Sequence, residues 1–228
     1  MMLMRFFSGA FCAALLAIPS TSFAQEVQSG VEQLRQFVRI SKTAEGEFVQ
    51  QQLRAPKPNE PQDKGLKVIR KTEGRFIFQR PGRFVWDTQK PFEQRLIADG
   101  KQLILWDKDL NQASFRPAGQ VLASTPAAIL FGEGALEQHF DLEEGAERSG
   151  LRWANLKPKA KPSAGSNDLP YTSIAIGMSG GLPRALELMD GLGSVVQLSL
   201  TQIQLNIALP AGTFTFTPPA GAEVLRLK

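Results

Sequence analysis

The stretch "RFIFQRPGRFVWD", residues 75–87, constrains this chain more than any other. Side chains alternate across a strand, so Phe76, Phe78 and Arg80 share one side. After Pro81-Gly82, Phe84 and Trp86 share one side of the next strand, which predicts a single wall of four aromatics and one arginine. The aromatics would bury in any sandwich or barrel. Arg80 is out of place, because a guanidinium has five donors and burying it without acceptors is very costly. Either Arg80 reaches the rim of the wall, or something laid over the wall offers it oxygens. The C-terminal end of a short helix, with unpaired carbonyls and a negative dipole end, would serve.

Strand grammar dominates the rest of the chain. Residues 26–40 read as one amphipathic helix with Val27, Val31, Leu34 and Val38 on its apolar stripe. From "GEFVQQQL" onward the sequence yields about ten short strands, nearly all joined by short turns. "EQRLIAD" and "KQLILWD" flank Asp99-Gly100, a dipeptide that favours a two-residue type I′ hairpin. In "SVVQLSLTQIQLNI", Val196, Leu198 and Leu200 keep one phase while Ile203, Leu205 and Ile207 take the other, which predicts a bulge or sharp bend. "GTFTFTPPAG" reads as a last short strand stopped by two prolines. The segments "RAPKPNEPQDKG" and "KPKAKPSAGSND" read as exposed loops. The helical interruption is "ASTPAAILFGEGALEQ", where Thr125 can cap, Pro126 can start and Gly132 can stop a helix of about six residues. So short a helix persists only by packing its apolar face on something, which makes it a candidate movable piece. A strongly curved antiparallel sheet is the economical arrangement for this inventory.

The opening "MMLMRFFSGAFCAALLAIPSTSFAQ" places Arg5 ahead of an apolar run from Phe6 to Ile18 and then Ser22-Phe23-Ala24. That is the pattern of a secretory signal with cleavage after Ala24, leaving residues 25–228 as a single domain. The apolar run is too short to anchor in a bilayer, which takes about 20 residues. Cys12, the only cysteine, falls inside the signal, so the exported chain would hold no disulfide and would depend on its core. Residues 54–83 hold nine Lys or Arg against three acids, whereas residues 133–147 hold six acids and no Lys or Arg. In an exported protein a basic stretch meets phospholipid headgroups or an acidic partner rather than nucleic acid, or is simply a solvated face.

Catalytic parts are missing from the sequence. His139 is the only histidine, so transition-metal clusters and Cys-His or Ser-His-Asp systems lack their usual members. No phosphate loop or dinucleotide fingerprint occurs. Asp107, Asp109 and Asn111 imitate the start of a calcium loop, but Gln112 stands at the glycine position and Ala118 at the final glutamate position, so this reads as a turn. Glu143-Glu144 and Glu133/Glu137 lie in an acidic context that reads as solvated. No enzyme activity, metal or cofactor is expected.

The block "FQRPGRFVWDTQKPFEQRLIADGKQLILWDKDLNQ" resembles the signature region of the periplasmic outer-membrane lipoprotein carrier family, LolA, with its R-P-x-x-F-x-W and DGK hairpin. "FTFTPPAG" looks like that family's C-terminal strand, and the resemblance runs from about Val31 to about Val224. It implies a mainly β fold: an incomplete antiparallel half-barrel closed by short α-helices acting as a lid over an apolar cavity. It implies a periplasmic, monomeric chaperone that takes acylated lipoproteins from an inner-membrane ABC transporter complex, LolCDE, to an outer-membrane receptor, LolB. The family's lid-holding arginine matches Arg80, and its next aromatic matches Phe84. The lid corresponds to "TPAAILFG", hence Ala128, Ile129, Leu130 and Phe131; the acyl cavity would be lined by Phe76, Phe78, Phe84, Trp86, Leu103 and Leu105. Loops 54–64 and 157–169 look longer than in the family, and residues 202–212 match it poorly. Three other readings stay open: a different exported lipid or glycolipid binder of half-barrel shape, a lipid-acting hydrolase, and a purely structural sheet protein.

Overall fold

The structure, a computed structural model, describes residues 28–60, 65–117, 130, 136–159 and 171–227. Helix α1 spans Gly30–Ile40. The strands are β1 (Thr43–Arg54), β2 (Lys67–Gln79), β3 (Arg83–Lys90), β4 (Gln94–Asp99), β5 (Gln102–Asp107) and β6 (Gln112–Pro117). A four-residue helix α2 (Leu136–His139) precedes β7 (Phe140–Glu144), β8 (Arg152–Pro158), β9 (Tyr171–Ser179), β10 (Leu182–Asp190), β11 (Val195–Leu205) and β12 (Glu223–Arg226). All twelve strands form one sheet in the order β12-β6-β5-β4-β3-β2-β1-β11-β10-β9-β8-β7. The sheet stays open, with β12 and β7 as its edges, and every pairing is antiparallel except β12 beside β6.

Local chemistry starts α1 four residues later than periodicity suggests. Ser29 is the cap: its Oγ accepts from Glu32 N at 3.2 Å, and its own N–H donates to the Glu32 carboxylate at 3.1 Å. Such a capping box fixes the first turn. The buried stripe is Val31, Leu34 and Phe37, with Val38 partly buried; Val27 lies outside the described residues.

The frame change in β11 is a bulge. Glu45 pairs with Gln204 but Glu47 pairs with Thr201, so Gln202 and Ile203 together face Gly46, and Gln202 takes a φ of 51°. The extra residue returns Ile203 and Leu205 to the face already held by Leu198 and Leu200. The β4–β5 hairpin differs from expectation by one position. Ala98 pairs with Leu103, so the two-residue turn is Gly100-Lys101, and Asp99 instead accepts from the N–H groups of Lys101 and Gln102, both at 2.7 Å. Gly100, at φ 93°, takes the first turn position, where a positive φ requires glycine.

Two cores lie on the two faces. The concave face carries the larger one, which runs from Leu103 on β5 across to Leu156 on β8 and is topped by Val31, Leu34 and Phe37 of α1 and by Leu130. The convex face of β3–β5 carries Val85, Ile97 and Ile104, covered by Phe214. Here the structure corrects the sequence reading: "GTFTFTPPAG" forms no strand, and turns closed by Thr215 N to the Gly212 carbonyl and by Ala222 N to the Pro219 carbonyl lie at its two ends. Its alternation is used nonetheless, because Phe214 and Phe216 fall on one side and pack across the outer face of strands whose ladder positions are already filled. The last strand is β12, further on, where the sequence reading placed none.

Candidate functional site

The aromatic wall is built from cross-strand pairs. Phe76 pairs with Trp86 and Phe78 with Phe84, and Ala98 and Leu103 continue the same face onto β4 and β5. Phe48 of β1 stacks on Trp86 with ring centroids 3.9 Å apart, and Phe76 lies parallel to Trp86 at 6.0 Å. Two glycines make this possible. Phe48 pairs with Gly74 and Phe76 pairs with Gly46, so each ring lies over a residue with no side chain. A Cβ on Gly46 would come within 2.6 Å of the Phe76 ring, and one on Gly74 would overlap the Asp87 carbonyl oxygen.

Phe76, Phe78, Phe84, Trp86 and Leu103 are all buried in the concave core. Leu105 is not. It shares the face of Leu103 and pairs with Leu96, but it is 40% exposed. Leu130 is helical and buried against the wall; Ala128, Ile129 and Phe131, with the residues read as the cap and stop of that helix, lie outside the described residues.

Arg80 directly follows β2 at the edge of this wall. Its Nη2 donates to the Leu130 carbonyl oxygen at 2.9 Å, and its guanidinium lies 5.2 Å from the centre of the Phe78 ring. Its backbone N–H donates to the Lys42 carbonyl at 2.8 Å, fixing the strand end. Burial pushes the Arg80 pKa below its ordinary value, the mark of a cation taken out of water.

Helix α1 is fastened by different means. The Glu144 carboxylate accepts from Gly30 N at 3.1 Å and Val31 N at 3.0 Å, adding a negative charge at the positive end of the helix. Gln33, buried, donates to the Gln28 carbonyl and accepts from Gly181 N at 2.9 Å, tying the helix to the β9–β10 turn. Arg35 bonds Glu137 at 2.6 Å, joining α1 to α2. Glu144, whose acidic context reads as solvated in the sequence, is instead engaged at the start of α1, and the sequence reading singles out neither Gln33 nor Phe37. Phe37, which meets Phe78 edge-on at 6.4 Å, was visible three residues after Leu34; nothing local marks the other two. Replacing Gln33 by leucine would orphan Gly181 N and is expected to cost about 1–3 kcal/mol. A denaturant titration with an unchanged m-value would register it as a lower midpoint.

A cleft of about 550 Å³ opens between α1 and α2, floored by Leu34, Val38, Leu136 and Leu142 with Glu32, Arg35 and Glu137 around it. Among the described residues no cluster of three or more His, Cys, Asp or Glu is placed to hold a metal ion. No helix among them is long and apolar enough to cross a membrane.

An open, mostly antiparallel sheet with α1 and Leu130 laid over its apolar concave face defines a half-barrel protein with a covered apolar face. The chain belongs to the LolA family: the model described as outer membrane lipoprotein carrier protein LolA matches residues 39–217. It is 41% identical over 215 residues to the outer-membrane lipoprotein carrier protein of Cupriavidus pinatubonensis, covering 94% of this chain and 95% of that relative. The protein of the same name from Ralstonia nicotianae is 41% identical over 214 residues, covering 94% of each chain. Among solved structures, an uncharacterized conserved protein from Thermus thermophilus matches with a TM-score of 0.53 at 14% identity. That match covers 88% of this chain and 100% of the other, a likeness of fold alone.

Proposed function

We propose that this protein is a periplasmic chaperone that binds the acyl chains of lipoproteins against its concave apolar face and carries them to the outer membrane. Residues 1–24 are the export signal and residues 25–228 the single carrier domain. Cargo is received from the inner-membrane complex LolCDE and passed to the receptor LolB. The protein acts by binding and release and catalyses no reaction.

One observation carries this reading: Leu130 packs in the core with the aromatic wall, and Arg80 holds its carbonyl from the edge of that wall. Each methylene kept from water is worth roughly 0.8 kcal/mol, so acyl chains cannot cross an aqueous compartment unshielded. A carrier must also let them go. Cover side chains such as Leu130 occupy the wall in the closed form and acyl chains replace them in the loaded form, so reclosure helps expel the cargo. Arg80 is the latch; Phe76, Phe78, Phe84, Trp86 and Leu103 form the cavity wall, with Leu105 at its open end. Ala128, Ile129 and Phe131 complete the lid with Leu130. The test is to add the purified protein to spheroplasts that retain outer-membrane lipoproteins. Release of triacylated lipoprotein as a soluble one-to-one complex is expected. Lipoprotein left in the membrane, in the presence of folded protein, would overturn the reading.

A further inference from the structure

Exposed apolar side chains gather at one end of the sheet among the described residues. Eleven large ones are exposed among the described residues, and six of them project at one end of the sheet. Leu66, Val68 and Ile69 belong to the β1–β2 hairpin, Phe92 to the β3–β4 turn, Leu110 to the β5–β6 turn and Leu192 to the β10–β11 turn. The pairings Leu53 with Val195, Glu73 with Lys90, and Gln94 with Asp107 place these turns on one rim, opposite the rim that holds Arg80. Leu192 is 93% exposed.

These tips are held in place. Asp190 Oδ1 accepts from Leu192 N at 2.8 Å and from Ser194 N at 2.9 Å, and Asp107 Oδ1 accepts from Leu110 N at 3.1 Å. Lys108 bonds both the Glu93 carbonyl and its carboxylate, tying the Phe92 turn to the Leu110 turn. The hairpin is anchored by Arg54, which holds the Glu60 carboxylate through two bonds at 2.8 and 2.9 Å, joined by Lys67 at 3.0 Å. Beyond that anchor β2 outruns β3, whose pairing begins at Glu73, and residues Lys67–Lys71 are exposed on both faces. Between residues 54 and 73 the described hairpin carries five basic side chains against Glu60 and Glu73, and both carboxylates already bond cations.

We propose that this rim docks on an anionic phospholipid surface, with the separate apolar tips entering the interface and Arg70, Lys71 and their neighbours meeting headgroups. Apolar side chains divided among four separate turns suit a fluid interface better than the single continuous patch that a folded protein would cover. A fluid interface admits each tip independently, and the basic hairpin adds attraction to anionic lipid. Docking by this rim points the Arg80 rim away from the bilayer. The inference stands on the geometry of the turns and does not depend on what the concave face carries.

The test is flotation of the exported protein with protein-free vesicles of phosphatidylglycerol and phosphatidylethanolamine. Wild-type protein is expected to float with them, less at high salt and less with phosphatidylcholine vesicles. The combined change Phe92→Ser, Leu110→Ser, Leu192→Ser alters only exposed tips and is expected to weaken association about tenfold or more. Ile40→Ser, on the opposite rim, is expected to leave it unchanged. Absence of wild-type flotation would overturn the proposal and assign the rim to a protein partner. Equal flotation by the triple variant, or equal loss in Ile40→Ser, would also overturn it.

Discussion

Replacing Arg80 by leucine is expected to leave a protein that folds and loads cargo but hands it on poorly. Arg80 stands at the end of β2, where its guanidinium lies over Phe78 and donates to the Leu130 carbonyl at 2.9 Å. Leucine keeps contact with the wall and removes the charge, so the fold loses little. The closed form loses a hydrogen bond from a charged donor, worth about 1.5–3 kcal/mol. That shifts the balance between covered and uncovered wall by about tenfold to a hundredfold toward the form that binds acyl chains. Because opening costs less, loading persists; because reclosure contributes less, transfer to a purified acceptor falls by a similar factor. The measurement is the rate at which labelled lipoprotein moves from preloaded carrier to acceptor. Transfer at the wild-type rate would remove the latch from the account.

Substituting Gly74 by alanine is expected to be the most damaging single methyl addition in the sheet. Its Cβ would overlap the Asp87 carbonyl oxygen, an atom of the neighbouring strand's backbone, and would lie 2.9 Å from the Phe48 ring. Neither neighbour yields cheaply: the carbonyl belongs to the β2–β3 ladder, and Phe48 is stacked on Trp86. Overpacking of this kind costs about 1–3 kcal/mol and occasionally more. At the upper end the melting temperature would fall by about 6–12 °C for a chain of this size. Thermal melts of the variant beside wild type decide the matter. An unchanged melting temperature would mean that β2 and β3 separate easily and that the aromatic wall is less rigid than described.

Much of the architecture was legible because period-two alternation is local. Phe76, Phe78, Phe84 and Trp86 share a face in the sequence and in the sheet for the same reason, and the phase change between Leu200 and Ile203 marks the bulge at Gln202. Alternation reports sidedness, however, and not pairing. Phe214 and Phe216 alternate as strand residues do, yet they lie across the outer face of a sheet that offers them no ladder. Leu105 alternates with Leu103 and shares its face, but it is exposed where Leu103 is buried, a difference that alternation does not carry. The fastenings of α1 were hidden by distance along the chain. Glu144 meets Gly30 after 114 residues and Gln33 meets Gly181 after 148, and an acidic run gives no local sign that one member caps a helix. The contact from Arg80 to Leu130 spans 50 residues. It was anticipated because a cation beside an apolar wall needs oxygens from somewhere.

A native mass spectrum of the protein isolated from its own periplasm tests the central claim most directly. The account predicts a species heavier than the chain from residue 25 onward by one triacylated lipoprotein, lost when the acyl chains are cleaved. Free glycolipid in its place, or bare protein throughout, would contradict it.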